Sequence, residues 1–229
     1  MLLTGFLFGF PMGSKNCAEL LKAGKLEKEE ADLLFIITNN ISPVFISSYI
    51  LCQELNTPSL IGISYLILYL PPLILGAFWC RFFSRSGKTA GQEKTPTSGS
   101  QMNFKIIDAG IMNGFETLTR LGGYIMLFSI FASILTELPL CLPIKTLLIG
   151  ITEITNGIHQ LPSSGYPGST CYVLAMAFTA FGGLSGVAQT SSMVKGCALS
   201  MKQYLLAKIL LAILSGLLAY GVMYCMKPF

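Results

Sequence analysis

Charge is scarce in this sequence. Only 11% of its 229 residues are Asp, Glu, Lys or Arg, against about 25% in a soluble domain. Hydrophobic residues reach 52% and the mean hydropathy is +0.65, which excludes an ordinary water-soluble domain. Histidine is nearly absent, with His159 the single one. The seven cysteines, at 17, 52, 80, 141, 171, 197 and 225, form no Cys-x-x-Cys pair, so no metal site and no cofactor is expected. Most read as small apolar packing residues. There is no His-Glu-x-x-His, no Gly-x-Ser-x-Gly and no intramembrane aspartyl pair, so the protein is not expected to be an enzyme. Ser86-Gly87-Lys88-Thr89 imitates the end of a phosphate-binding loop, but Phe82 stands where the first glycine belongs, and no strand signal precedes it.

What the sequence has instead is long apolar runs. Charge-free or nearly charge-free stretches occupy Leu33–Gln53, Leu60–Cys80, Leu121–Thr136, Thr170–Val194 and Ile209–Met226. A helix needs roughly 20 mostly apolar residues to span a bilayer core, so an all-α polytopic integral membrane protein with about five transmembrane helices is expected. Met1–Met12 and Thr146–Ile158 are too short to cross and read as re-entrant hairpins, which need protein or a water-filled cavity around them. Met1–Met12 lacks the basic start and the cleavage site of a signal peptide. Asn40-Ile41-Ser42 matches a glycosylation sequon but lies inside a span.

Lysine and arginine give the orientation. Lys15, Lys22, Lys25, Lys28, Arg81, Arg85, Lys88, Lys94, Lys105, Arg120, Lys195, Lys202 and Lys208 fall on one face when the spans alternate, leaving Lys145 and Lys227 opposite. The basic face is expected to be cytoplasmic, and the net charge of +4 then reflects topology, with no nucleic-acid partner implied. Ser84–Gln101 is rich in Gly, Ser, Thr and Pro and reads as a flexible cytoplasmic linker. It divides the chain into a first repeat at 1–83, a linker at 84–102 and a second repeat at 103–229. Within the second repeat, Asn103–Arg120 carries apolar residues at helical spacing and is expected to lie along the interface, leading into the span at Leu121.

The two halves resemble each other. Leu2-Leu3-Thr4-Gly5 opens one hairpin and Leu147-Leu148-Ile149-Gly150 the other. The first continues through Gly9, Pro11, Gly13 and Ser14, the second through Thr152, Thr155, Asn156 and Gly157. Asn39-Asn40-Ile41-Ser42 then interrupts one span, and Gly182-Gly183-Leu184-Ser185 the other. Alternation makes the halves inverted repeats with broken helices, the arrangement in which transporters bind solutes near the midplane. Asn39, Asn40, Ser42, Gly182, Gly183, Ser185 and Gln189 are the candidate substrate-binding residues. Helix glue is the competing role for such polar groups. Glu153, inside the second hairpin, carries a proton or meets a cation, or else simply snorkels to the surface or pairs with a helix terminus. Lys15 either meets an anion or is a surface lysine.

The stretches GFPMGSKNCAELLKAGKLEKEEADLLFIITNNISPVFI, GFETLTRLGGYIMLFSIFASIL, LLIGITEITNGI and FGGLSGVAQT resemble the sporulation integral membrane protein YlbJ family. The resemblance implies a multi-pass cell-membrane protein of a spore-forming bacterium, with nucleoside-recognition Gate domains and a role in forming or maturing the spore. Members of that family usually begin with further membrane segments, whereas here the hairpin starts at Leu2. The symmetry also places a counterpart of 103–140 upstream of Met1, so an N-terminally incomplete first repeat, a homo-oligomer or a partner subunit covering the gap is expected. Two functions remain open: transport of a small polar solute across the lipid bilayer, or a non-transporting scaffold that recruits sporulation proteins.

Overall fold

The computed structural model describes residues 8–83 and 104–226. The expected linker at 84–102 and the Leu2–Gly5 opening of the first hairpin lie outside them. All regular structure among the described residues is helical. In chain order it comprises α1 (Met12–Lys22), α2 (Lys28–Thr38), a π-helix (Phe45–Glu54), a 3-10 turn (Pro58–Leu60), α3 (Ile61–Phe83), α4 (Phe104–Glu137), α5 (Leu142–Thr152), α6 (Ile154–Gln160), α7 (Gly168–Phe181), α8 (Gly183–Met193) and α9 (Met201–Cys225). The fold is that of an all-α polytopic membrane protein.

Among the described residues, four segments are long and apolar enough to cross a membrane: Pro58–Trp79, Ile107–Glu137, Gly168–Met193 and Met201–Cys225. The fifth expected span, Leu33–Gln53, is divided between α2 and the π-helix, neither of which reaches that length alone. One correction concerns α4. The expected interfacial helix at 103–120 and the span after it form one continuous helix. Gly122 and Gly123 cost the helix about 1 kcal/mol each relative to alanine, less than exposing unpaired backbone to lipid.

Local chemistry sets the remaining boundaries. Glu27 and Glu30 cap α2 reciprocally, satisfying two of its orphan donors. The Ser200 side chain accepts a bond from the Gln203 amide at the start of α9. The hairpin expected at Thr146–Ile158 is α5 and α6, joined at the extended residue Glu153. It folds so tightly that a β-carbon on Gly157 would overlap the Cα of Gly150; only paired glycines allow this approach.

Two buried clusters hold the helices. The larger joins the π-helix, α3, α6 and α7 through residues such as Ile50, Ile67, Ile158 and Met176. Hydrogen bonds cross it: the Ser64 and Tyr172 hydroxyls lie 2.7 Å apart, and Ser215 donates to the Ile67 carbonyl. The smaller cluster packs Phe35 of α2 on Tyr204 of α9, ring centroids 4.5 Å apart, beside Cys17 and Ala31. By contrast α4 is loosely held. Among its described side chains only Thr117 and Ala132 are buried.

The sequence α1, α2, π-helix, α3 has a counterpart in α6, α7, α8, α9. The second set starts 142, 140, 138 and 140 residues after the first, and in each the second helix stops at a non-helical break before the third begins.

Candidate functional site

The break in the second half is made by Gly182 and Gly183, both with positive φ, 85° and 69°. Two consecutive left-handed residues cost a side chain-bearing pair about 1–2 kcal/mol each, so α7 ends and α8 restarts here at glycine. The break in the first half is built differently. Its carbonyls are occupied: Asn40 O accepts from the Phe10 amide at 2.7 Å, Ile41 O from the Tyr69 hydroxyl at 2.7 Å, and Pro43 O from the Tyr65 hydroxyl at 3.2 Å. The unwound backbone is thus largely spoken for by protein.

The halves interlock at these breaks. The Phe10 ring seats on Gly182 and Gly186, where added β-carbons would stand 3.6 and 3.1 Å from it, and Ile154 lies against Gly183. Gly9 meets the backbone of Ser42, and the Tyr49 hydroxyl donates to the Thr155 carbonyl at 3.1 Å. A cavity of about 190 Å³ lies at this convergence, room for roughly six waters at ~30 Å³ each. Gly9, Phe10, Ser42, Phe45, Glu153, Thr155, Gly182, Ser185, Gly186 and Gln189 line it, and Leu121 and Ile125 of α4 close one side. A mostly apolar wall with a few converging polar groups is the usual make-up of a small-molecule site.

Glu153 is the charged member of that wall. Only 2% of it is exposed. Its Oε2 accepts from the Thr155 hydroxyl, from the Asn156 amide at 2.9 Å and from Asn156 Nδ2 at 3.3 Å, whereas Oε1 takes no bond among the described residues. Asn156 Nδ2 also donates to Ser129 of α4 at 2.9 Å. Gln189 donates to Ser185 at 2.9 Å, and both residues line the cavity.

Of the residues singled out by sequence, Ser42, Gly182, Ser185, Gln189, Glu153, Gly9 and Thr155 come together at the cavity. Gly183 stands behind it against Ile154. Pro11 caps α1 and Gly13 abuts the Thr38 backbone. Asn39 and Asn40 face elsewhere, into a buried polar knot. Asn39 donates to Thr190 at 2.9 Å and to Tyr204 at 2.8 Å and accepts from the Ser14 amide at 3.3 Å; Asn40 donates to Ile37 O and accepts from Lys208 Nζ at 3.0 Å.

Lys208 corrects the topological reading, which places it among the cytoplasmic charges. It is 2% exposed and sits 5.7 Å from the centre of the Tyr204 ring. Its position in the buried stripe Tyr204, Lys208, Leu211, Ser215, Ala219 of α9 was the available signal, because these residues share one helix face. Ser129, Phe10 and Tyr49, which also build the site, carried no such signal. Lys15 reaches α4, bonding Asn113 and Thr117, away from the cavity. His159 meets Glu54 at 3.1 Å on the surface.

The chain is similar to the sporulation integral membrane protein YlbJ of Bacillus subtilis (strain 168). The two are 23% identical over 263 aligned residues, covering the whole of this chain and 64% of the relative. No protein-family model matches the chain, and no solved structure matches it. The aligned region spans this whole chain, the residues of both breaks and of the Glu153 hairpin included.

Proposed function

We propose that the protein is a sporulation-related membrane transporter that passes a small polar solute through the cavity between its two broken helices. One observation carries this reading: a cavity at the meeting point of both breaks, with Glu153, Ser42, Ser185 and Gln189 in its wall. Polar groups at membrane depth are costly and commonly mark solute paths. The repeated element order supports treating 8–83 and 104–226 as inverted halves that rock about this site. The chemistry is binding and release, with no bond made or broken in the solute.

The test is Ser185→Leu, which fills the polar wall at the cost of one hydrogen bond, that from Gln189 Nε2. Transport predicts loss of the sporulation role at normal membrane abundance. Replacing Gly87–Ser100 by a neutral flexible segment is the counter-experiment. A transporter tolerates it, whereas loss of function there with an active Ser185→Leu variant turns the protein into a docking scaffold.

A further inference from the structure

A second cavity, of about 180 Å³, lies where α1, α4 and the end of α8 meet. Its lining is mostly polar and includes Lys15, Lys22, Glu19, Glu116, Thr117 and Arg120. The charges there do not cancel. Arg120 and Glu116 neutralise each other at 2.5 Å. Lys15 is held by neutral partners only, Asn113 Oδ1 at 2.7 Å and Thr117 Oγ1 at 2.9 Å, and Lys22 joins no hydrogen bond or ion pair among the described residues. Glu19 stands in the same wall but within ion-pair distance of neither lysine. Two ammonium groups therefore face one pocket without a carboxylate on either.

The depth of this pocket is set by two candidate spans. Arg120 is the last charge of α4 before its apolar stretch, whose Ile125, Met126, Leu127, Ile130, Phe131 and Ile134 side chains are exposed. The span Gly168–Met193 stops at Met193, which lines the same pocket. The charge-free part of α4, Leu121–Thr136, begins beside the pocket and the span Gly168–Met193 ends there, so the pocket opens at the level of lipid headgroups, about one helical turn of 5.4 Å beyond the hydrocarbon. It lies on the Lys- and Arg-rich side, the cytoplasmic one by the positive-inside rule, and that leaflet carries the anionic lipids.

We infer that this pocket binds the phosphodiester headgroup of an anionic glycerophospholipid. Lys15 and Lys22 hold the phosphate oxygens, and Thr117 and Glu19 offer acceptors to headgroup hydroxyls. The lipid's acyl chains then run along the exposed apolar face of α4. With so little of α4 buried against protein, the lipid acts as a third contact that fixes α4 against α1 and α8, and with it the Leu121 and Ile125 wall of the first cavity. The inference stands whether or not that cavity carries a solute.

The experiment uses the full chain purified in neutral detergent and titrated with dioleoylphosphatidylglycerol or dioleoylphosphatidylcholine, reading the thermal midpoint and lipid retention by native mass spectrometry. Phosphatidylglycerol raises the midpoint and stays bound, and phosphatidylcholine does neither. Lys22→Gln, which removes no bond within the protein, weakens the phosphatidylglycerol response about fivefold, and Lys15→Gln/Lys22→Gln roughly 25-fold, from about 1 kcal/mol per lysine near an anionic surface. Lys25→Gln/Lys28→Gln, outside the pocket, leaves it unchanged. Equal response to both lipids, or a full response in Lys22→Gln, overturns the proposal. The same midpoint shift from millimolar inorganic phosphate overturns the lipid assignment in favour of a soluble anion.

Discussion

The ammonium nitrogen of Lys208 lies 3.0 Å from the side-chain oxygen of Asn40, and both residues are buried. Lys208 forms no ion pair among the described residues, so Asn40 is the group that pins this charge. Asn40→Leu leaves the ammonium without its acceptor and is expected to cost about 3 kcal/mol, the upper range for stranding a buried polar group. Lys208→Met removes the charge while keeping an unbranched apolar stem. The double variant recovers most of the loss, measured as thermal midpoints in detergent. Simple additivity would show that the two side chains do not act on each other.

This changes how the first break is tested. Read from sequence, Asn40→Leu and Ser185→Leu are equivalent probes of a solute path. The structure separates them, since Ser185 faces the cavity and Asn40 faces Lys208. Loss of abundance is expected in Asn40→Leu and not in Ser185→Leu, as read by immunoblot of membrane fractions.

Glu153→Gln keeps an oxygen that can accept from Thr155 and the Asn156 amide, so α6 remains capped and membrane abundance is retained. Only the charge at the cavity wall is lost. The expected outcome is a severe sporulation defect with a thermal midpoint near wild type. Glu153→Leu removes the cap as well and loses about 1 kcal/mol more stability. Normal sporulation in Glu153→Gln would assign Glu153 to capping alone.

Glycines give a paired prediction. A β-carbon at Gly157 overlaps the Gly150 backbone, whereas one at Gly114 in α4 meets nothing within 4 Å. Gly157→Ala is expected to destabilise by about 1–3 kcal/mol, as overpacking does. Gly114→Ala is expected to stabilise by up to about 1 kcal/mol through helix propensity. Thermal midpoints of the two variants moving in opposite directions check both.

The spans and their interruptions were legible because hydropathy reports burial in lipid, and glycine, proline and asparagine report backbone that leaves the helix. Gly182-Gly183 and Asn39-Asn40 are where the sequence places them. The π-helix at Phe45–Glu54 was not legible, since its widened turns alter no residue-type preference that a local reading detects. Lys208 was misread because a lone lysine near a span terminus ordinarily snorkels to the interface; helix phase, not hydropathy, decides its burial. The boundary in α4 was placed at Arg120 because the charges end there, while the backbone simply continues. The convergence of Phe10, Gly186, Ser42 and Glu153 depends on contacts between residues more than 100 positions apart, which no local pattern encodes.

Phe10 gives the last prediction. Its amide is tied to the first break through Asn40 O, and its ring rests on Gly182 and Gly186 of the second. One residue therefore touches both breaks and forms part of the cavity wall. Phe10→Ala keeps the backbone bond and removes the ring, which opens a path past Gly186. In a background with the native cysteines replaced, Ser185→Cys is expected to react slowly with a membrane-impermeant thiol reagent when Phe10 is present and several-fold faster in Phe10→Ala. Gly186→Leu, which evicts the ring from its seat, should have the same effect by a different route. Because the two variants share only the displaced ring, faster labelling in both identifies Phe10 as the barrier, and unchanged rates in both locate the barrier elsewhere.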